Sequence, residues 1–393
     1  MSRTVLVLGG YGSAGARIAE LLVRETEARV LIGGRQGSRA KLVADRLKRQ
    51  YGEDRIAGVL VDAADPRLLR KALEPVDLLV VASSTTPLTA AVAEAAVQAR
   101  VDWFDIQSST RKLTTLRGVR DAIERNGCCF ITDGGLHPGM PGALVRFAAG
   151  FIDRPQRVRV AMLFNLDWGA LDLPPETTAE FVDELREARM EVYERGEWVK
   201  RRSWTTQPID FGRPFGKRST VPLWLDEIGS LPTLYPSLQD LSVWVAGFNW
   251  FVDYVVLGVG LPGLRLFGDR AGPTVAWLFQ WGLRQFSRPP WGSIMLVEAQ
   301  GWKKGRLVEF RGVVSHRDGY DLTAIPAVAA LLQYLDGSIR KPGLWQQALV
   351  VEPRRFMADL ERLGATVTYD LDVQTGKPVH RAPEAGPEAR RPE

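Results

Sequence analysis

A chain of 393 residues is longer than one hydrophobic core usually fills, so the length predicts two domains. A hydrophobic fraction of 45% and a charged fraction of 25% are ordinary for a globular protein. The excess of 51 basic over 46 acidic residues is small and scattered, which gives no indication of a nucleic-acid-binding protein.

The two cysteines of the chain, Cys128 and Cys129, are neighbours in an apolar run that is typical of a strand. Because adjacent side chains of a strand point to opposite faces, we expect two separate buried thiols. The sequence contains neither a disulfide framework nor a metal-ligand pattern, so we predict no metal site and a reducing compartment. The apolar run that starts at Thr4 is too short for a signal peptide, which predicts a cytoplasmic protein.

Strand and helix patterns alternate in the first part of the chain. The predicted strands are Thr4–Leu8, Val30–Ile32, Ala57–Val61, Asp77–Ala82, Val101–Ile106 and Cys128–Thr132. The predicted helices are Ser13–Arg24, Ser38–Gln50, Pro66–Leu73, Pro87–Gln98 and Leu113–Arg125. Six strands that alternate with helices predict an α/β fold with a doubly wound parallel sheet of the Rossmann type.

A glycine-rich turn joins the first predicted strand to the first predicted helix. Its pattern is GxGxxG, formed by Gly10, Tyr11, Gly12, Ser13, Ala14 and Gly15. In this context Gly10 allows a tight turn, Gly12 lets the backbone approach a pyrophosphate, and Gly15 lets the helix pack on the strand. Free N–H groups at the positive end of the helix would hold the phosphates, so the turn predicts a dinucleotide site.

The residues after the second predicted strand indicate which dinucleotide is bound. An NAD site usually presents a carboxylate about 20 residues after the turn, for the ribose 2′-hydroxyl. Residues 33–38 contain no carboxylate but present Arg35. A guanidinium can pair with a 2′-phosphate and stack on adenine, and Ser38 and Lys41 could add contacts. We therefore predict NADP as the cofactor.

Polar loops after the later strands complete the predicted cofactor site. Ligands of open α/β sheets bind outside the carboxyl ends of the strands. Asp62 follows the third predicted strand, and we expect it either near the adenine or as the cap of the helix at Pro66. The residues expected to line the nicotinamide are Ser83, Ser84, Gln107 and Ser108.

The loop after the sixth predicted strand, residues 133–142, contains four glycines and two prolines together with His137. Hydride addition to C=O or C=N leaves a developing charge that a nearby acid stabilises. Histidine changes its charge in the physiological pH range, so we predict His137 as that acid. The alternative is a loop histidine bonded to backbone. Asp105 and Asp133 are rival acids, although each is also explained by a turn or cap contact.

These motifs resemble the saccharopine dehydrogenase-like family of NADP-dependent reductases. The resemblance rests on GGYGSAGARIAELL, on GGR after the second strand and on GLHPGMPG after the sixth, and more weakly on Tyr320–Gly337 and Gly343–Gly364. It implies a Rossmann domain, a second α+β domain that shapes the pocket and often makes a dimer contact, and activity on a carbonyl or imine carbon. Relatives that handle amino acids tend to carry an aspartate where His137 stands. A histidine suits an anion or proton transfer better than a substrate amine.

The second part of the chain contains patterns of both kinds. We predict strands over Arg157–Leu166, Val199–Ile209, Ser219–Leu225, Ser293–Trp302 and Arg306–His316, the last two forming a hairpin. Helices are predicted over Thr178–Glu194 and Asp321–Leu335, and we expect the second of these to pack on the first domain. The pattern predicts an α+β domain with a mixed or antiparallel sheet.

The segment Leu241–Leu283 is the most apolar part of the chain, and Asp253 is the only charge before Leu264. Glycine, proline, asparagine and charged residues interrupt it, which disfavours a membrane-spanning helix. Three interpretations stay open: a buried core or dimer interface, an apolar substrate channel, and a surface that enters a membrane interface. Four tryptophans in or just after the segment suit an anchor or a pocket equally well, namely Trp250, Trp277, Trp281 and Trp291.

These observations divide the chain into a Rossmann NADP-binding domain (1–150), a substrate and dimerisation domain (151–320), closing helices (321–378) and a disordered tail (379–393). The function predicted is hydride transfer between NADP(H) and a carbonyl or imine carbon of a small molecule, by a homodimer. The alternative is a noncatalytic NADP-binding protein at a membrane surface or in an oligomeric assembly. Peripheral membrane contact stays open in both cases.

Overall fold

The computed structural model describes residues 3–52, 54–171, 178, 188–202, 205–260 and 272–373, and its strands form two sheets. Strands are numbered along the chain. The predicted tail and most of the predicted helix Thr178–Glu194 lie outside the described residues.

The first sheet is parallel and has seven strands. They are β1 (Thr4–Leu8), β2 (Arg29–Gly34), β3 (Ile56–Leu60), β4 (Leu78–Val81), β5 (Asp102–Asp105), β6 (Cys129–Thr132) and β15 (Gly343–Gln346). Their spatial order is β15-β6-β5-β4-β1-β2-β3, so the order reverses between β1 and β4, the point where open α/β sheets bind ligands. The predicted α/β fold with a doubly wound sheet is confirmed.

Helices cover both faces of this sheet. They are α1 (Ser13–Glu25), α2 (Gly37–Tyr51), α3 (Pro66–Leu73), α4 (Thr89–Ala99), α5 (Thr110–Gly118) and α6 (Arg120–Arg125), with a 3₁₀ turn at Thr86–Leu88. Strand side chains alternate between two cores, with Val5 and Val7 in one and Leu6 and Leu8 in the other. The single helix predicted over residues 113–125 is wrong, because the chain leaves helical geometry at Val119.

The seventh strand comes from the far end of the chain, and the sequence pattern does not predict it. β15 pairs in parallel with β6. It follows the closing helix (Gly319–Leu335), which packs on α1 and bonds to it through Arg17 and Asp321. Two further helices follow β15 in the chain, Gln347–Val350 and Pro353–Leu363. A strand of four residues is too short to show a hydrophobic period, so only its pairing reveals it.

The second sheet has nine strands and is mixed, as predicted. They are β7 (Arg154–Asn165), β8 (Glu191–Glu194), β9 (Glu197–Lys200), β10 (Gln207–Asp210), β11 (Lys217–Pro222), β12 (Asp240–Ala246), β13 (Gly292–Lys303), β14 (Arg306–His316) and β16 (Thr366–Val373). β12 and β7 run parallel, and β13 and β14 form the predicted hairpin. The inner face packs on helix α7 (Met140–Ala149), while Arg157 and Arg159 lie on the outer face, in an open groove of about 770 Å³.

Two predictions for the second part of the chain are wrong. The strand predicted over residues 199–209 is divided between β9 and β10, which do not pair with each other. Residues Glu191–Glu194, predicted as the end of a helix, form β8, which pairs with β9 and places Glu191 opposite Lys200. The other cross-strand pairs are two apolar or aromatic pairs and one pair of glutamates, so these short strands are stabilised by contacts with their partner and not by a hydrophobic period within one segment.

The apolar segment Leu241–Leu283 begins in β12, and two helices follow this strand. A π-type helix covers Phe251–Gly260 and an α-helix covers Gly272–Phe286, and the two pack on each other. Residues 261–271 lie outside the described residues. Among the described helices, none is both long and apolar enough to cross a bilayer.

The cysteines lie as predicted. Cys128 belongs to one core of the first sheet and Cys129 to the other, and both are buried and free. Burial raises the pKa of each thiol to about 11, so both are protonated and unreactive at neutral pH.

Candidate cofactor and active site

The glycine-rich turn lies between β1 and α1 at the switch point of the first sheet. Gly12 N–H donates to the Gly9 carbonyl (2.9 Å), and a Cβ on Gly15 would overlap that same carbonyl oxygen. Gly15 thus lets the helix begin close against the turn. No side chain caps α1 at Gly12, and its first turn contains no acidic residue. The first N–H groups of the helix therefore fit a phosphate group.

Tyr11 links this turn to the segment that carries Arg35. Its hydroxyl accepts a hydrogen bond from Gln36 N–H (3.2 Å), and a Cβ on Gly34 would overlap its ring. Arg35 itself is exposed directly after β2. The accessible guanidinium of Arg35 therefore belongs to the residue directly before Gln36, whose N–H group binds Tyr11.

The start of α2 is close to Arg35 in the chain. Its N-cap is Gln36, which provides no side-chain cap, and Ser38 in the first turn and Lys41 are exposed. Asp62 accepts a hydrogen bond from Ala64 N–H (2.9 Å). The expectation that it caps the helix at Pro66 is wrong, because a different aspartate, three residues further along, caps that helix.

The loops after β4 and β5 are bonded to each other. Gln107 Nε2 donates to the carbonyl oxygen of Ser83 (2.6 Å), and a Cβ on Gly9 would lie 2.8 Å from Ser83 Cβ. The glycine turn, Ser83 and Gln107 are thus brought together at one edge of the sheet. Ser84 is exposed beside Ser83, and Ser108 is half-buried beside Gln107.

A fully buried lysine lies beneath these loops. Lys112 Nζ donates to Asp105 Oδ1 (2.6 Å), Asp133 Oδ1 (2.8 Å) and the Gln107 carbonyl oxygen (2.5 Å). Burial by itself lowers the pKa of Lys112, but the two carboxylates outweigh this effect and the pKa is raised. All three ammonium hydrogens are therefore used, and the lysine joins the loop after β5 to the loop after β6.

The two rival acids, Asp105 and Asp133, belong to the same network. Asp105 also accepts from Trp103 Nε1 (2.6 Å) and Thr132 Oγ1 (2.7 Å). Asp133 accepts from Gln346 Nε2 (2.8 Å), at the end of β15. Both carboxylates are thus held in one buried network of ion pairs and hydrogen bonds. The sequence analysis did not predict the role of Lys112. Its position seven residues after Asp105, in the helix that follows β5, is the feature of the sequence that could have indicated it.

Another buried carboxyl group, that of Glu227, holds the loop of residues 133–142. Glu227, from the 3₁₀ turn Asp226–Ile228 of the second part of the chain, accepts from Gly139 N–H (2.5 Å) and Gly142 N–H (2.8 Å). It thereby caps α7. Burial raises the pKa of Glu227 to about 8, although the two N–H groups act in the opposite direction.

His137 lies in this loop and is half-buried. Its ring meets the edge of Phe164 at the end of β7, with ring centroids 6.4 Å apart. The histidine therefore lies where the loop of the first sheet meets the second sheet. Met140, which follows in the loop, is fully buried in the core. No contact tests the proton-transfer role of His137 or the cofactor contacts of the other residues, and these stay predictions. Among the described residues, no cluster of His, Cys, Asp or Glu could hold a metal ion.

Comparison with known proteins identifies the first part of the chain. Residues 5–126 match the saccharopine dehydrogenase NADP binding domain family. The whole fold is similar to that of apo saccharopine dehydrogenase (L-Glu forming) from Saccharomyces cerevisiae, at 14% identity and a TM-score of 0.66, over 94% of this chain and 100% of that one.

A less similar structure is an oxidoreductase from Agrobacterium radiobacter in complex with NAD+, L-tartaric acid and magnesium, at 13% identity and a TM-score of 0.47, over 92% of this chain and 95% of that one. No curated protein gives a significant sequence match. The resemblance predicted from the sequence is confirmed: the chain carries an NADP-binding domain of the saccharopine dehydrogenase type.

Proposed function

We propose that this protein is an NADP(H)-dependent oxidoreductase that transfers hydride to or from a carbonyl or imine carbon of a small molecule. The observation that carries the proposal is the uncapped start of α1 at the sheet switch point, next to Ser83 and Gln107, in a domain of the NADP-binding type. A ligand held there lies outside the carboxyl ends of β4 and β5, where the reacting ring of a dinucleotide binds in such sheets. The nicotinamide of bound NADP(H) would supply or accept the hydride.

Arg35 would select the phosphorylated dinucleotide. Its guanidinium is exposed, no carboxylate lies in residues 33–38, and the uncapped start of α2 follows within two residues. A planar guanidinium and free helix N–H groups together suit a doubly charged phosphate. Ser38 would add a hydroxyl donor from the first turn of α2.

His137 would transfer the proton that accompanies the hydride. When hydride adds to C=O or C=N, the oxygen or nitrogen gains negative charge, and a protonated imidazole can donate to it. In the reverse direction the neutral imidazole accepts that proton. The place of His137 between the first sheet and Phe164 supports this role, because a substrate pocket shaped by both parts of the chain would include it.

Deuteride transfer tests the proposal. NADPH deuterated at C4, in separate preparations for each face of the ring, is incubated with the protein and panels of keto acids, aldehydes and aldehyde–amine mixtures, and products are analysed by mass spectrometry. We expect deuterium in a product from one face only. Tight NADPH binding without transfer to any member of the panels would favour the noncatalytic alternative.

A histidine pair separates catalysis from binding. His137→Ala is expected to lower the rate of deuteride transfer about 10²–10⁴-fold with little change in NADPH affinity, because it removes the proton donor and not a cofactor contact. His316→Ala is the matched control, since that ring is bonded to the backbone of Asp318 at the end of β14. Unchanged transfer in His137→Ala would assign the proton to another group.

A further inference from the structure

We propose that the two helices after β12 dock the protein on the interfacial region of a lipid bilayer. The docking surface, here called the aromatic face, consists of Trp250, Tyr254, Trp277 and Trp281. These residues lie on, or directly before, the helices Phe251–Gly260 and Gly272–Phe286. The proposal is independent of the reaction proposed above.

The aromatic face is a concentration of exposed rings. The exposed fractions are 57% for Trp250, 73% for Tyr254, 60% for Trp277 and 38% for Trp281. With Val255, they make up half of the ten exposed large hydrophobic side chains among the described residues. A local cluster of this kind, unlike scattered single residues, marks an interaction surface.

The three tryptophans are linked in one chain of ring contacts through Phe286. Trp277 stacks on Trp281 with centroids 6.2 Å apart, Trp281 meets Phe286 at 5.4 Å, and Phe286 meets Trp250 at 5.0 Å. The patch therefore bridges both helices.

The polar side chains within the first helix and just before it point toward the protein interior. Asn249 Oδ1 accepts from Val252 N–H (3.0 Å), and Asn249 Nδ2 donates to Ser287 Oγ (3.1 Å). Asp253 accepts from Phe248 N–H (2.9 Å), and its burial raises its pKa to about 6. An ordinary surface helix presents polar residues to water and buries its rings. Here the carboxylate and the amide are used internally, and the outer surface is left to the aromatic rings.

The two helices also pack on each other through buried side chains. A separate core lies beneath the exposed rings, formed by Val252, Val256, Val275, Phe279 and Leu283. The exposed tryptophans and tyrosine are thus available for a partner. Rings of this type, with an apolar body and one polar group, concentrate at the boundary between lipid and water.

Charge favours a lipid surface over a second copy of the chain. Arg284 and Arg288, at and just after the end of the second helix, are exposed, whereas the acid of the first helix, Asp253, is turned inward. Anionic headgroups attract such arginines. A two-fold pairing of the same face would instead place the same positive charges on both sides of the interface. Since no described helix is suited to cross the bilayer, the aromatic face would lie in its surface.

Vesicle flotation of the full chain tests the proposal. One set of vesicles contains phosphatidylcholine alone and the other contains phosphatidylcholine with phosphatidylglycerol. We expect binding to both, and stronger binding to the anionic set. The double variant Tyr254→Gln, Trp277→Gln is expected to lose binding about tenfold or more, because it removes two rings from the patch. Leu234→Gln, at a position 55% exposed outside the patch, is the matched control and is expected to bind as the wild type does.

A second measurement does not depend on the double variant folding. Brominated phosphatidylcholine quenches tryptophans that enter the lipid, and Trp277→Phe, Trp281→Phe is expected to reduce that quenching while vesicle binding persists. If the wild type binds neither set of vesicles, the proposal is overturned. Conversion of a wild-type dimer to a monomer by the double variant, without vesicle binding, would likewise overturn it in favour of an interface between copies.

Discussion

Arg35 and Lys112 are both cations of the first domain, but they differ in what they can bind. Arg35 is exposed, so an anion from solution can reach its guanidinium. Lys112 is fully buried, and its three donors are already bound to Asp105, Asp133 and a carbonyl oxygen. These differences support the proposal that the arginine binds the ligand, and they leave the lysine to position the loops.

Arg35→Asp is expected to reverse or abolish a preference for NADPH over NADH. Loss of a charged hydrogen bond to the 2′-phosphate, about 1.5–3 kcal/mol, weakens NADPH binding roughly 10–100-fold, and the new carboxylate repels the phosphate. Fluorescence titration with both dinucleotides measures the preference. Arg46→Asp, exposed further along α2, is the control and should leave it unchanged. Equal affinities of the wild type for the two dinucleotides would refute the assignment.

Lys112→Met is expected to lower the free energy of unfolding by about 3–5 kcal/mol, because two buried carboxylates lose their cation. Adding Asp133→Asn should restore part of this loss, since one of the two unpaired charges is removed. Urea denaturation measures both values. A loss below about 1 kcal/mol in the single variant would show that water reaches the carboxylates and that Lys112 does not hold the loops.

The backbone N–H groups at the starts of α1 and α7 differ in whether a side chain binds them. Glu227 caps α7 through Gly139 and Gly142, and its carboxyl group comes from a distant part of the chain. No side chain caps α1 at Gly12, and the glycine turn lies against it. One helix start is therefore closed by the protein itself, and the other is open to an anionic ligand. The open start of α1 and the glycine pattern together support the cofactor site.

The carboxyl group of Glu227 makes stability depend on pH. Its pKa is about 8 in the folded chain and about 4.5 ordinarily, so between these values the folded state keeps a proton that the unfolded state has lost. The free energy of unfolding therefore falls as pH rises through this window, by up to about 1.4 kcal/mol per pH unit, and levels off above it.

Glu227→Gln, which resembles the protonated form, is expected to flatten this fall. Urea denaturation at several pH values measures the slope, and Glu361→Gln, exposed on the helix Pro353–Leu363, is the control. An identical slope in wild type and Glu227→Gln would show that the group is ionised throughout.

The far end of the chain completes the first domain. The Tyr334 hydroxyl donates to Asp102 Oδ2 (2.6 Å), and Arg340 Nε donates to the same oxygen (2.7 Å). Asp102 begins β5, and β15 follows the arginine by only two residues. The sheet that presents the cofactor turn is thus finished by residues more than 200 positions away, so we expect it to form cooperatively with the closing segment.

Tyr334→Phe is expected to lower the free energy of unfolding by about 1–3 kcal/mol, because the buried Asp102 carboxylate loses a hydroxyl donor. Tyr254→Phe removes a hydroxyl from an exposed ring and should change stability by less than about 0.5 kcal/mol. Both are measured by urea denaturation. Equal effects of the two substitutions would mean that the contact of the closing helix with β5 contributes nothing.

Patterns within single segments predicted most of the first domain. Strands such as Thr4–Leu8 were located from apolar runs, and the glycine turn from its place between a strand and a helix. The same reasoning failed where short strands are stabilised by their partners, as in β8 and β9. It also left the apolar segment after β12 open among three interpretations, because a row of tryptophans has the same pattern whether it is buried or exposed.

The amino-acid sequence by itself determined the alternation of strands and helices, the glycine turn and the missing carboxylate near Arg35, because each depends on residues close together in the chain. Only the tertiary structure decided which carboxylates are bound by Lys112, that Glu227 caps α7 from 85 or more positions away, and that β15 completes the sheet. The physical reason is that a buried charge and a short strand are stabilised by partners that the chain brings near only when it folds.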